Sequence, residues 1–275
     1  MQRTEGTREI AVGVIDGPVR LDHPALSGQS IRELSGGAPA ACRQRESFAC
    51  AHGTLVIGVL AARRGSGAPA ICPGCTFLLR PIFPENITGG DPMPVSTPEE
   101  LATAIIDSVS AGARVINLSA ALTEPSTRGE NRLAEALDFA ARRGVLVTAA
   151  AGNQGTVGGS ALTRHPWVIP VIGCDVQGRP MQESNLGGSI GRHGLAAPGE
   201  NITSTGADGR PGTFGGTSAA APFVTGAIAL LWSEFPRASA GQIKLVVTQA
   251  ARGARRTIVP PLLDAWGAYL AMGRN

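Results

Sequence analysis

The stretch Ile10–Pro18, IAVGVIDGP, decides the fold of this 275-residue chain. Its apolar run Ile10–Ile15 is typical of a strand that is buried on both faces, as in a parallel sheet. The run ends at Asp16-Gly17-Pro18, so a carboxylate follows the strand directly. Because open parallel sheets place their functional groups beyond the carboxyl ends of the strands, Asp16 is the first candidate for a functional site.

Strand and helix patterns alternate along the rest of the chain. This alternation predicts the α/β class, a three-layer α/β/α fold with a mainly parallel central sheet and helices on both of its faces. Since no Pro/Gly/Ser linker interrupts the pattern, we expect residues 1–275 to form a single domain. The further predicted strands are Phe77–Ile82, Val115–Ser119, Val145–Ala149 and Trp167–Gly173, and the predicted helices are Thr54–Ala62, Pro98–Ala111, Asn131–Arg143 and a long apolar helix from Ser218 to about Phe235.

Charge and hydropathy exclude several classes of partner. The 24 basic and 21 acidic residues give a net charge of +3 and are scattered, so we expect neither a nucleic-acid nor a membrane partner. No apolar run reaches the roughly 18 residues that a transmembrane helix needs. The N-terminal residues Met1–Glu9 are polar and lack the features of a signal peptide, which predicts a cytoplasmic protein.

The five cysteines are Cys42, Cys50, Cys72, Cys75 and Cys174, and their odd number leaves at least one of them unpaired. The sequence leaves their pairing open. Cys72 and Cys75 form a CPGC motif, which favours either a local disulfide or two plain thiols. A zinc site would need two further ligands at matching spacing, so we expect no metal.

Two other segments carry residues suited to nucleophilic acyl transfer, which needs a hydroxyl, an imidazole and an orienting carboxylate. Of the four histidines, only His52, in AHGT, stands between a possible strand end and a predicted helix start. Ser218, in the segment GGTSAAAP, lies at the head of the long apolar helix, whose free N–H groups suit a developing oxyanion. A capping role explains either residue taken alone. It does not explain the pair Gly215-Gly216, which permits close approach of a substrate backbone.

The segments VIDGPVRLDHPAL, HGTLVIGVLAA, AAAGNQG and GTSAAAP resemble the four signature blocks of the subtilases, in that family's chain order. The resemblance extends from Ile10 to about Ala251 and includes RVINLSAAL and LAAPGENI. It implies a subtilisin-like fold and serine endopeptidase activity. An α/β-hydrolase is excluded, since that fold needs the order Ser, acid, His, whereas this chain has the order Asp, His, Ser.

The resemblance also implies a role for each candidate residue. Asp16 would orient His52, His52 would act as general base and acid, and Ser218 would attack the scissile carbonyl. The side-chain amide of Asn153, in the AGN block, would join the backbone N–H of Ser218 in an oxyanion hole. The acidic ligands of the family's strong calcium site are not found in this sequence, so the resemblance implies no cofactor.

Two segments correspond to the family's substrate channel. The expected substrate-binding residues are Ser119, Ala120, Ala121, Ala150, Ala151 and Gly152. Backbone from Ser119 to Ala121 could pair with an extended peptide as an added strand. The family often has Leu-Gly or Gly-Gly where this chain has Ala120-Ala121, which predicts a narrower pocket.

Within the subtilases, DGPV followed by HPAL, and RPIFPE followed by a helix and VINLSAAL, most resemble the maturation proteases of cyanobactin (patellamide-type) pathways. This implies a ribosomally made precursor peptide as the partner. Cyclising members of that group carry a helical cap between the catalytic Asp and His. Asp16 and His52 are 36 positions apart, and the stretch between them holds no amphipathic helix of cap length. This predicts that the enzyme hydrolyses its peptide and does not cyclise it. The alternatives are a general intracellular protease and a peptide-binding module without catalysis.

Overall fold

A computed structural model describes residues 3–85, 96–119, 129–249 and 257–274. Within these ranges, seven strands form one parallel sheet in the order β2-β3-β1-β4-β5-β6-β7, and β8 and β9 form a separate antiparallel hairpin. The strands are β1 (Ala11–Ile15), β2 (Ser30–Glu33), β3 (Thr76–Leu79), β4 (Val115–Leu118), β5 (Leu146–Ala150), β6 (Val168–Cys174), β7 (Leu195–Pro198), β8 (Ile202–Thr205) and β9 (Pro211–Phe214).

Helices cover both faces of the sheet, as the alternating pattern predicts. The helices are α1 (Phe48–Ala61), α2 (Pro98–Ser110), α3 (Glu130–Arg142), α4 (Ala161–Arg164), α5 (Gly188–His193), α6 (Thr217–Glu234), α7 (Ala240–Gln249) and α8 (Ala265–Met272), with a 3₁₀ turn at Pro24–Leu26. All seven strands of this sheet run parallel, so the mainly parallel α/β fold class is confirmed.

The side chains of the sheet strands alternate between two apolar layers, as the two-residue period of a strand requires. Val12 and Val14 of β1 face a core shared with α1 and α6, whereas Ile15 faces a core shared with α2 and α3. Both faces of β1 are therefore dry, and all of its residues are buried. This double burial explains why an unbroken apolar run identified the strand.

The predicted elements differ from the observed ones mainly at their ends. Apart from the start of α1, the limits of the predicted elements move by no more than three residues. The sequence pattern did not predict β2, β7, the hairpin of β8 and β9, or the helices α4, α5, α7 and α8. One difference affects the site: His52 does not precede its helix but lies inside α1, which begins at Phe48 rather than Thr54. The Ser47 hydroxyl accepts a hydrogen bond from the backbone N–H of Cys50 at 3.2 Å, and this N-cap starts the helix early.

Cys42 and Cys50 form a disulfide that ties the loop before α1 to the first turn of that helix. Cys72, Cys75 and Cys174 are thiols. In the described ranges, the only group of residues spaced to hold a metal ion is Cys42, Cys50 and Glu85. The two cysteine sulfurs of this group are joined in the disulfide. In the same ranges, no helix combines the length and the apolar character needed to cross a membrane.

Candidate active site

Asp16 and His52 are in direct contact at the carboxyl edge of the sheet. Asp16 directly follows β1 and is 1% exposed, and its Oδ1 lies 2.8 Å from Nδ1 of His52. The same oxygen accepts a hydrogen bond from the backbone N–H of Gly17 at 2.6 Å. The main chain at Asp16 is held in turn, because its carbonyl accepts a hydrogen bond from the N–H of Ile82 at 2.8 Å. The carboxylate is thus fixed in position to orient the imidazole.

Two glycines allow α1 to approach the end of β1 closely enough for this contact. A Cβ on Gly17 would collide with the carbonyl of Ala49, and a Cβ on Gly53 would collide with the carbonyls of Gly17 and Pro18. Any side chain at either position would push the helix away from the strand. The distance between Asp16 and His52 therefore depends on glycine at both positions.

The electrostatics of His52 favour its protonated form. Burial opposes protonation, but the charge of Asp16 and the hydrogen bond to it outweigh that effect and raise the pKa of His52 above 6.5. Two aromatic rings flank the imidazole: Phe48 stacks on it at 5.7 Å between ring centroids, and Phe214 meets it edge-on at 6.3 Å. These rings hold the imidazole in one orientation.

Ser218 is the second residue of α6, and the chain just before this helix contacts His52. Phe214, whose ring touches His52, ends β9 and lies two residues before Gly216, the N-cap of α6. The Ser218 hydroxyl donates a hydrogen bond to the carbonyl oxygen of Ser119 at 2.8 Å. No hydrogen bond in the described residues joins the Ser218 hydroxyl to His52.

Asn153 lies across from the start of α6. Its side-chain Oδ1 accepts a hydrogen bond from the backbone N–H of Thr217 at 2.9 Å. This bond leaves the Nδ2 group of Asn153 available as a donor. Ser218 directly follows Thr217, and its N–H has no acceptor among the described residues. Gly216 has φ +88°, and a Cβ there would press against the Asn153 amide, so glycine is required at this position.

A buried polar network supports Ser119 and Ser218 from below. The Ser119 hydroxyl accepts a hydrogen bond from Nδ2 of Asn117 at 2.8 Å and donates one to the Ser218 carbonyl at 3.3 Å. Asn117 also accepts a hydrogen bond from the Thr225 hydroxyl at 2.8 Å, and Thr225 contacts the Thr148 hydroxyl. The network joins β4, β5 and α6, and it fixes the start of α6 relative to the sheet.

Asn185 holds the loop that carries Asn153, a role that the sequence analysis missed. Its Oδ1 accepts hydrogen bonds from the N–H of Gln154 and from both the N–H and the hydroxyl of Thr156, all at 3.1 Å. Its Nδ2 donates to the carbonyl of Ala151 at 3.2 Å and to Oε1 of Gln154 at 2.6 Å. Asn185 is distant from the loop in sequence, and no local pattern could have connected them.

Among the residues that the sequence selected by type, the structure shows Asp16 in direct contact with His52, and Asn153 in direct contact with the start of α6. Ser218 lies at the head of α6. Ala150 ends β5 and precedes the loop of Ala151 and Gly152. Ala120 and Ala121 lie outside the described residues, and of that predicted segment only Ser119 is described.

The arrangement is chemically suited to acyl transfer. A serine hydroxyl, a carboxylate-oriented imidazole and two N–H donors at a helix start are the groups that such a reaction uses. The His52 imidazole can accept a proton while Asp16 stabilises the resulting charge.

The sequence and the fold of this chain match those of known proteins. The sequence model of the subtilase family (peptidase S8) matches residues 7–264. A solved structure of a mutant of the PatA protease domain is 31% identical, with a TM-score of 0.89, and the match covers 100% of this chain and 99% of that one. The structure of the prenylagaramide maturation protease PagA is 27% identical, with a TM-score of 0.84, over 97% of this chain and 95% of that one.

Curated sequences match as well. Fervidolysin of Fervidobacterium pennivorans is 30% identical over 278 aligned positions, which cover 91% of this chain and 38% of fervidolysin. The chain spans about half the length of the curated relatives that it matches.

The pKa of His52 can be tested directly by NMR titration of the imidazole protons, with His52→Gln used to assign the resonance. We expect a midpoint above 6.5, because the charge of Asp16 favours the imidazolium. In Asp16→Asn the midpoint should fall below 6.5, because burial then acts alone. A midpoint that is unchanged by Asp16→Asn would contradict this assignment of the cause.

Removal of the Asn185 side chain should affect the oxyanion position rather than substrate binding. In Asn185→Ala we expect kcat for a peptide substrate to fall about tenfold with KM changed less than about threefold, because a displaced oxyanion donor acts in the transition state. The matched control is Ser184→Ala, whose hydroxyl bonds only to the backbone of Gly173. If Asn185→Ala lowers kcat equally in an Asn153→Ala background, Asn185 does not act through Asn153.

Proposed function

The chain belongs to the subtilase family, and from that membership we propose that it is a serine endopeptidase with Asp16, His52 and Ser218 as its catalytic triad. The observation that carries the proposal is the 2.8 Å contact between the buried Asp16 carboxylate and His52. A peptide-binding module without catalysis would have no need for a carboxylate that raises the pKa of an imidazole.

In the proposed reaction, the Ser218 hydroxyl turns from the Ser119 carbonyl to Nε2 of His52 and attacks the scissile carbonyl carbon. His52 takes the hydroxyl proton and later gives it to the leaving amine. The oxyanion is stabilised by the Ser218 N–H and by the Nδ2 group of Asn153. Water then attacks the acyl-enzyme, with His52 again as the base, and releases the acid.

We propose that the peptide substrate lies between two backbone segments, Ser119–Ala121 and Ala150–Gly152. The carbonyl of Ser119 already accepts a hydrogen bond from Ser218, so it is available to accept one from a substrate N–H once the hydroxyl rotates. Gly152 is held in place by a hydrogen bond from its N–H to the Thr217 hydroxyl at 3.2 Å. An extended peptide would pair with the two segments as an added strand.

The substrate class that we propose is a ribosomally made precursor peptide. Support comes from the whole-chain likeness to the PatA protease domain and to PagA, whose name describes a maturation protease. A general intracellular protease is the alternative.

We also propose that residues 1–275 make up one domain, because the family match runs from 7 to 264 and one sheet takes strands from Ala11 through Pro198.

The triad proposal is tested by Ser218→Ala. We expect turnover of a peptide substrate to fall to background while the fold and the thermal transition stay unchanged, because a single hydroxyl is removed. Wild-type turnover in purified Ser218→Ala would refute the triad.

Asn153→Ala should lower kcat by about 10²–10³ with little change in KM. An effect of Asn153→Ala confined to KM would make Asn153 a ground-state binding residue.

The product should be a linear acid rather than a cyclic peptide. Macrocyclisation requires that the acyl-enzyme be shielded from water, at about 55 M, until the peptide's own amine attacks it. Residues 17–47 are all described, and their helical content is the 3₁₀ turn Pro24–Leu26, so nothing in this interval has the length of a helical cap. The ester between Ser218 and the substrate should therefore react with water.

The measurement is mass spectrometry of the products from a cleaved peptide that carries a free N-terminus. The expected species has the mass of the linear acid and is digested by an exopeptidase. The matched control is the same peptide with an acetylated N-terminus, which cannot cyclise and should give the same rate of cleavage. A main product that is lighter by one water and resists exopeptidase would refute the hydrolase proposal.

A further inference from the structure

Cys72 and Cys75 form a pair of free thiols at the amino end of β3, away from the candidate active site. They end a tight turn through Pro73 and Gly74, in which the N–H of Cys75 donates to the carbonyl of Cys72 at 3.0 Å. The end residues of such a turn lie within about 7 Å, and a disulfide spans Cα distances of about 4.4–6.8 Å. The spacing of the two cysteines is therefore compatible with a disulfide.

The two thiols differ in their surroundings. A hydrogen bond from the Cys72 thiol lowers the pKa of Cys75, and the N–H of Thr7 and the Ser233 hydroxyl act in the same direction against burial. The pKa of Cys72 is raised by the same thiol–thiol hydrogen bond and by burial. Cys75 is accordingly the better nucleophile, and Cys72 is placed to attack it in a second step.

A cavity of about 300 Å³ lies beside the turn and opens to solvent. Its wall includes Pro73, Gly74 and Cys75 on one side. The charged residues around it are Arg8, Arg63, Arg64 and Glu5. The Glu5 carboxylate lies 3.5 Å from the Arg64 guanidinium, so the cavity keeps an excess of positive charge that attracts anions.

The cover over the Cys75 sulfur and the wall of the cavity belong to the same segment. Gly6 lies directly against the sulfur, where a Cβ would collide with it, and its neighbours Glu5 and Arg8 line the cavity. Residues 3–9 contain neither helix nor strand. Local opening of this segment, which breaks the hydrogen bond from the N–H of Gly74 to the Glu5 carbonyl, would expose the sulfur to a molecule bound in the cavity.

We propose that Cys72 and Cys75 form a redox-active dithiol, which is oxidised by exchange with a low-molecular-weight disulfide that carries carboxylate groups and binds in the arginine-lined cavity. The site is separate from the triad, because Thr76 pairs with Ala11 at the start of β1 whereas Asp16 follows the end of that strand. The proposal does not depend on the proposed peptidase activity.

The exchange has two balanced steps. The Cys75 thiolate attacks one sulfur of the small disulfide, the S–S bond breaks, and one thiol leaves with the proton from Cys75. Cys72 then loses its proton and attacks the Cys75 sulfur of the mixed disulfide, which releases the second thiol. The dithiol has lost two electrons and two protons, and the small disulfide has been reduced to two thiols.

The test uses the folded full chain with glutathione disulfide as the anionic probe and cystamine as the cationic one. We expect glutathione disulfide to reduce the number of titratable thiols from three to one, with a Cys72–Cys75 bond found by peptide mapping. In Cys72→Ser, or in Cys72→Ala as a second variant, one glutathione should remain bound to Cys75. Cys75→Ser should take up no glutathione at this turn.

The cavity is tested with the double variant Arg8→Gln and Arg63→Gln, whose side chains are exposed. We expect the ratio of the rate with glutathione disulfide to that with cystamine to fall about tenfold relative to wild type. The same ratio in the urea-unfolded chain corrects for intrinsic reactivity. Three thiols that persist in the folded protein, no glutathione on either Cys72 variant, or a ratio that the arginine substitutions leave unchanged would each overturn the proposal.

Discussion

The burial of the Asp16 carboxylate is the constraint on which the site depends. A charged group that is 1% exposed is stable only with close partners, and Asp16 obtains them from the Gly17 N–H and from His52. The contact with His52 requires α1 to approach the end of β1, which in turn requires glycine at 17 and 53. The Ser47 cap and the Cys42–Cys50 disulfide then fix the first turn of α1. A single buried charge thus determines how a strand, a helix and a loop are arranged.

The sequence predicted those features that are encoded locally. The apolar run of β1 and the serine at the head of α6 each lie within a few consecutive residues, so periodicity and composition suffice to find them. The start of α1 was predicted too late, because the N-cap at Ser47 begins the helix at Phe48, six residues before the predicted start. The pattern also missed β2, whose residues are only partly buried and therefore lack an apolar run.

Other features depend on contacts between distant segments and leave no local signal. Asn185 bonds to the loop of Asn153, and Asn117 bonds to Thr225, in both cases across many intervening residues. Each of these amides and hydroxyls is an ordinary polar residue in its own segment. Their importance follows from the cost of leaving a polar group unpaired in or beside a dry core. Only the fold places their partners next to them.

Helix α1 links the two ends of the sheet that carry chemistry. Its first turns hold the disulfide and His52, and near its other end the carbonyl of Leu60 accepts a hydrogen bond from the N–H of Cys72 at 3.0 Å. With 14 residues the helix is about 21 Å long, and most of its side chains are buried between the sheet and α6. A packed helix of this kind moves as a rigid body or not at all, since its core neighbours leave no free volume. We therefore expect His52 to keep its position relative to Asp16 when the Cys72 turn changes.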